Sequence, residues 1–69
     1  MVHMANQIAL NVAAYGREEA IKMTADHLRM FWEPRMRKQL HEYADQGGSG
    51  LHEFVVEAEK QLRATAVPR

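Results

Sequence analysis

Apolar residues recur along this chain at intervals of three and four, the spacing that places side chains on one face of an α-helix. Four such segments are separated by a glycine, a proline and a glycine-rich stretch, and none of them shows the alternation of a β-strand. We therefore predict an all-α fold, a single domain built as a small four-helix array or bundle. The predicted helices cover about residues 3–15, 17–32, 34–46 and 50–64, with a frayed C-terminal tail from Thr65.

The first predicted helix has an apolar stripe at Met4, Ile8 and Val12, with small alanines beside it that would let another helix approach closely. Residues 1–15 contain no Asp, Glu, Lys or Arg. A helix without charge is unusual in a small domain, because part of its surface should face water. Two explanations stay open: burial within the domain's own core, and burial against a partner, including a second copy of the isolated chain.

The second predicted helix ends at a proline. Its inward face is predicted to consist of Ile21, Thr24, Leu28 and Phe31. Pro34 ends this helix because a proline pushes the preceding residue out of the helical region. Proline is tolerated in the first turn of a helix, so the third helix is expected to start at Pro34 itself.

The last two helices are separated by the turn Gly47–Gly50. Ser49 in this turn is expected to cap the fourth helix. The apolar stripe of the third helix is predicted to be Met36, Leu40, Tyr43 and Ala44. That of the fourth helix is predicted to be Leu51, Phe54, Val55, Ala58 and Leu62.

Composition narrows the classes of function. The 69 residues provide one small core, and the absence of cysteine excludes disulfides and thiolate metal sites. Nine basic and nine acidic side chains give zero formal charge, without the basic excess that nucleic-acid binders use against phosphates. The apolar runs are too short to span a bilayer, and the N-terminus does not have the pattern of a signal peptide. We expect no contact with nucleic acid or membrane.

The residues that could carry chemistry do not form a recognisable site. His3, His27, His41 and His52 include no pair spaced by four residues, the spacing that places two metal ligands on one helix face. Ser49 lies in no nucleophile motif, and its glycine-rich turn does not follow a strand as a phosphate-binding loop would. We predict no catalytic, cofactor-binding or metal site in this chain.

The region from Arg29 to Lys38 is the most unusual part of the sequence. It has four cationic side chains against Glu33, and it contains the adjacent aromatics Phe31 and Trp32. A solvated cluster of charges is one interpretation. Arginine beside an exposed aromatic is also the typical composition of a protein–protein hot spot. The sequence leaves open whether Trp32 belongs to the core or to an interface.

Several blocks of the sequence resemble the delta subunit of NAD-dependent formate dehydrogenase, and together they extend roughly from Met4 to Leu62. The most specific block is Ala-Asp-His followed, after three residues, by Phe-Trp-Glu-Pro-Arg-Met-Arg. The blocks are Met4–Ala9, Ala25–Leu28, Phe31–Arg37, Gly47–Leu51 and Val56–Ala58.

The resemblance implies a non-catalytic accessory subunit of a soluble, cytoplasmic formate dehydrogenase that contains molybdenum or tungsten. In such complexes the alpha subunit holds bis-molybdopterin guanine dinucleotide and iron–sulfur clusters, and the beta and gamma subunits carry FMN and further clusters toward NAD. The delta subunit has no redox centre and is associated with assembly, cofactor insertion or stability of the complex.

On this interpretation, the chain docks on the alpha subunit through the corner between the second and third helices. The candidate partner-binding residues are Asp26, His27, Phe31, Trp32, Pro34, Arg35, Met36 and Arg37. An alternative is a small nucleic-acid-binding module of the helix-turn-helix type, with Arg35, Arg37 and Lys38 on phosphates. The neutral charge and the acidic fourth helix count against this alternative.

Overall fold

The computed structural model describes residues 1–65, and these form four α-helices with no β-strand in that range. A one-turn 3₁₀ helix, Ala13–Tyr15, extends the first α-helix. The prediction of an all-α fold is confirmed. Of the predicted tail, only Thr65 lies within the described residues, where it ends the last helix. The helices are α1 (Val2–Val12), α2 (Arg17–Phe31), α3 (Pro34–Asp45) and α4 (Glu53–Thr65).

Helix α4 begins at Glu53, three residues later than expected, and Ser49 does not cap it. The cap is His52, whose Nδ1 accepts a hydrogen bond from the backbone N–H of Phe54 at 3.0 Å. Gly47, Gly48 and Gly50 all have positive φ, so the chain between α3 and α4 turns without continuing as a helix. The cap of α4 is therefore His52, three residues after Ser49, which was the predicted cap.

The core lies mainly between α2 and α4, and α1 covers it from one side. On α1 the buried residues are Ala5 and Ala9, while Met4 is 52% exposed, so the predicted stripe was centred on the wrong residues. Alanine methyl groups allow two helices to pack closely, because no long side chain holds them apart. The face that α1 turns inward is therefore its small-residue face.

The two adjacent aromatics at the end of α2 have opposite environments. Trp32 is 6% exposed and belongs to the core, whereas Phe31 is 69% exposed. The prediction that Phe31 lies on the inward face is therefore wrong. The inward stripe passes through Ala25 and Leu28 to Trp32, which leaves the helical conformation with φ −87° and ψ 139°.

Helix α1 is joined to the glycine-rich turn by one amide side chain. Asn6 Nδ2 donates to the carbonyl oxygen of Gly50 at 2.8 Å, and Asn6 Oδ1 accepts from the backbone N–H of His52 at 2.8 Å. Both functional groups of the amide are used, one as donor and one as acceptor. Asn6 therefore fixes the turn before α4 against α1, across more than 40 residues of sequence.

A buried carboxylate joins α3 to α4. Glu59 is 3% exposed, and its Oε1 lies 2.7 Å from His41 Nδ1 and 2.8 Å from Arg63 Nε. Arg63 also bonds to Asp45 Oδ1 at 2.9 Å and donates to the carbonyl oxygen of His41. The hydrogen bonds to Asp45 and Glu59 raise the pKa of Arg63 above its usual value. Because a buried carboxylate is costly without partners, this network explains how the acidic helix α4 packs against α3.

The contrast between Trp32 and Phe31 gives a direct test of the core. Trp32→Ala should lower the free energy of unfolding by about 3–5 kcal/mol, which is comparable to the whole stability of a domain of this size. Trp32→Phe leaves a smaller cavity and should cost less. Phe31→Ala should change the free energy of unfolding by less than about 0.5 kcal/mol, because Phe31 is exposed. Urea unfolding followed by circular dichroism measures all three, and equal losses for the two alanine variants would contradict the assignment.

Candidate docking surface

The corner between α2 and α3 is held in place by Arg37. Its guanidinium, on α3, donates to the carbonyl oxygens of Leu28 at 3.3 Å and Arg29 at 3.2 Å, and to that of Trp32. These carbonyls lie at the C-terminal end of α2. That of Leu28 also accepts from the backbone N–H of Trp32 at 3.2 Å, whereas those of Arg29 and Trp32 receive no backbone N–H within residues 1–65. A cation at this end also interacts favourably with the helix dipole. Arg37 is therefore a side-chain cap that ties α3 to the end of α2.

Around this corner, five side chains form an exposed surface, which we call the corner surface: His27, Met30, Phe31, Pro34 and Arg35. The rings of His27 and Phe31 contact each other, with centroids 4.8 Å apart. Met30 is 70% exposed and lies beside them, because residues three and four apart are neighbours on a helix. The result is a patch of large apolar side chains open to solvent.

Beside the corner surface, a groove of about 370 Å³ runs between α2 and α4. Asp26 and Arg29 form an ion pair along it, with 2.6 Å between Oδ1 and Nη2. The floor is apolar, since Ala25 and Leu62 belong to the core. The lining residues are Lys22, Ala25, Asp26, Arg29, Gln61 and Leu62.

The positive charge available at this corner is smaller than the sequence suggests. Arg29 is neutralised by Asp26, and Arg37 is occupied by backbone carbonyls. Within residues 1–65, Arg35 and Lys38 form no ion pair or hydrogen bond, and both are exposed. These two side chains are the cations that remain free to meet an acidic partner surface.

The structure divides the eight predicted partner-binding residues into three groups. Exposed on the corner are His27, Phe31, Pro34 and Arg35. Trp32, Met36 and Arg37 support the corner from inside, as Trp32 is buried and the other two are half-buried. Asp26 pairs with Arg29 at the edge of the groove. Their role toward a partner stays a prediction.

The sequence reasoning missed Met30, one of the two most exposed large hydrophobic residues in the described part of the chain. The spacing Ile21, Ala25, Leu28 and Trp32 is the signal that could have found it. Once this stripe is taken as the inward face, Met30 and Phe31 fall outside it together.

No group of three or more His, Cys, Asp or Glu side chains within residues 1–65 is arranged to hold a metal ion. No helix in the same range is both long enough and apolar enough to cross a membrane.

Two arginines, two residues apart, test the capping role. Arg37→Ala removes the cap on α2 and should lower the free energy of unfolding by about 1–2 kcal/mol. Arg35→Ala removes the same type of side chain from an exposed position without bonds, so it should change stability by less than about 0.5 kcal/mol. Thermal unfolding measures both. Similar losses in the two variants would mean that Arg37 is not a specific cap.

Comparison with known proteins identifies a family for this chain. No curated protein and no solved structure matches the chain. Residues 1–58 match the family model FdsD, described as NADH-dependent formate dehydrogenase delta subunit. The match extends from α1 into the first half of α4, and it includes the corner surface, Asn6 and the glycine-rich turn. The chain belongs to the family of NADH-dependent formate dehydrogenase delta subunits.

Proposed function

We propose that this chain is a non-catalytic accessory subunit that docks on the catalytic alpha subunit of a cytoplasmic formate dehydrogenase and supports its assembly, cofactor insertion or stability. Membership of the delta-subunit family supports a place in such a complex. In this proposal the molybdenum or tungsten cofactor, the iron–sulfur clusters, FMN and NAD belong to the alpha, beta and gamma subunits, and the delta subunit contributes binding alone.

The observation that carries the docking proposal is the exposure of Met30 and Phe31 on a fixed corner. Large apolar side chains that cluster in solvent are typical of interaction sites. Here they are attached to a corner that Trp32 anchors from inside and Arg37 caps. A surface that is rigid before binding loses less conformational entropy on association. The corner surface is therefore suited to act as a preorganised anchor.

The exposed charged side chains near the corner surface indicate which charge the proposed partner surface should carry. Arg35 and Lys38 are exposed and unpaired within the described residues, with Glu33 as the nearby acidic residue. An arginine at the rim of an apolar contact favours an acidic partner, and such rim charges act mainly on the association rate. We therefore propose an acidic rim around an apolar pocket on the alpha subunit.

The helix-turn-helix alternative loses support from the same contacts. It requires Arg35, Arg37 and Lys38 on phosphates, but the Arg37 guanidinium is already bound to the carbonyls at the end of α2. A salt titration of DNA binding tests this alternative, because phosphate contacts produce a steep dependence of affinity on salt. Absence of binding at low salt would remove it.

The place of the chain in a complex can be tested by affinity purification of the tagged chain from its native cells. The expected result is recovery of a large iron–sulfur and molybdopterin-binding subunit, identified by mass spectrometry, with formate-dependent reduction of NAD in the eluate. Recovery of the tagged chain alone, with no such activity, would contradict a stable place in the complex.

The docking surface is tested by a pair of exposed aromatics. Phe31→Ala should weaken binding to the co-expressed alpha subunit about tenfold or more, since truncated hot-spot residues cost about 2 kcal/mol. Tyr15→Ala is the matched control, because Tyr15 is 65% exposed on the 3₁₀ helix, away from the corner surface. Surface plasmon resonance on both variants measures the difference.

The control also defines the result that would contradict the assigned surface. If Tyr15→Ala weakened binding and Phe31→Ala did not, docking would occur through the N-terminal face of the domain. Arg35→Glu adds an independent readout, because it should slow association most strongly at low salt.

A further inference from the structure

A second exposed surface lies on α1, far along the sequence from the corner surface. We call it the α1 surface and define it by Met4, Gln7, Leu10 and Asn11, all of which are exposed. Met4 is 52% and Leu10 is 56% exposed. Helical spacing places residues 4, 7 and 11 in one line, with residue 10 beside residue 7. The inward face of α1 is already occupied by the core, so the α1 surface faces away from it.

The α1 surface has no Asp, Glu, Lys or Arg side chain, and the imidazole beside it is that of His3, exposed four residues before Gln7. The lack of permanently charged side chains bears on the kind of partner that fits this surface. Residues 1–15 contain no Asp, Glu, Lys or Arg. In a two-fold symmetric pair the same patch meets itself, so any net charge on the patch would face the same charge. An uncharged patch avoids this repulsion. From this we infer that the α1 surface binds a second copy of this chain, and so forms a symmetric dimer.

The polar side chains of the α1 surface are also self-complementary. Gln7 and Asn11 are exposed and form no hydrogen bond within residues 1–65. A carboxamide carries donors and an acceptor, so it can pair with the same group related by two-fold symmetry. Met4 and Leu10 provide the apolar contact between these pairs. The patch therefore offers to its own copy both the apolar area and the hydrogen bonds that an interface requires.

The α1 surface is small, so the affinity of the proposed dimer should be low. Four side chains on a helix of 11 residues form an interface at the low end of the size range, where association is weak. The corner surface is built from residues of α2 and α3 and shares no residue with the α1 surface. Self-association and docking on the alpha subunit are therefore separate properties.

Sedimentation equilibrium of the purified full chain tests the inference. As the concentration rises toward about 1 mM, the apparent mass should rise from the 7.9 kDa of one chain toward twice that value. Dilution should return the mass to that of one chain. A monomer at every concentration up to about 1 mM would overturn the inference.

Two matched variants locate the contact. Met4→Lys places a charge on the α1 surface, where it would face its own copy, and should weaken dimerisation at least tenfold. Met30→Lys places the same charge on the corner surface, so it should leave the dimer intact. Circular dichroism of both variants verifies that each is folded. Equal effects on dimerisation, or an effect of Met30→Lys alone, would contradict the assigned surface.

The same two variants distinguish the dimer inference from the docking proposal. Binding to the alpha subunit should be weakened by Met30→Lys and preserved in Met4→Lys. If Met4→Lys abolished binding to the alpha subunit and left the mass of the isolated chain unchanged, the α1 surface would be an interface with the alpha subunit. That result would overturn the dimer and leave membership of the complex intact.

Discussion

The abrupt end of α2 before Pro34 is the constraint on which the corner depends. Proline forces the preceding residue into an extended conformation, and Glu33 has φ −67° and ψ 151°. The carbonyl oxygen of Leu28 still accepts from the N–H of Trp32, but within residues 1–65 that of Arg29 then has no backbone N–H partner. Arg37, one turn into the next helix, supplies the donors. The break and its cap together fix the direction of α3, and with it the exposed position of Phe31 and the buried position of Trp32.

The rest of the domain accommodates this corner with a small core. Ala5, Ala9, Ala20, Ala25 and Ala58 are all buried, so the helices are packed through small side chains. Long apolar side chains remain outside, on α1 and at the end of α2. Since small domains have little core to spare, side chains such as Met30 and Leu10 would stabilise the fold more if they were buried. Their exposure supports the proposal that they contact other chains.

Much of the fold followed from the sequence, because glycines and prolines mark the helix ends. The errors occurred where two faces of one helix were both apolar. On α1, Met4 and Ala5 are neighbours, and spacing alone cannot decide which of them faces inward. On α2, the stripe continues equally well to Phe31 or Trp32, and the choice depends on the other helices that build the core, which the local pattern does not contain. The contacts of Asn6 with the glycine-rich turn connect residues 44 and 46 positions apart, so no local signal predicts them.

The adjacency of Phe31 and Trp32 gives the corner the exposed aromatic on which the proposed docking depends. A helix cannot bury two consecutive large side chains on one face, because neighbours point about 100° apart. Placing the larger aromatic in the core therefore obliges the smaller one to face solvent, next to Met30. The same Trp32 that stabilises the corner also fixes the position of Phe31, which is one residue away along a backbone capped by Arg37. The burial of Trp32, which stabilises the corner, is thus coupled to the exposure of Phe31. A partner that buries Phe31 would therefore bind a surface whose shape is already determined by the core.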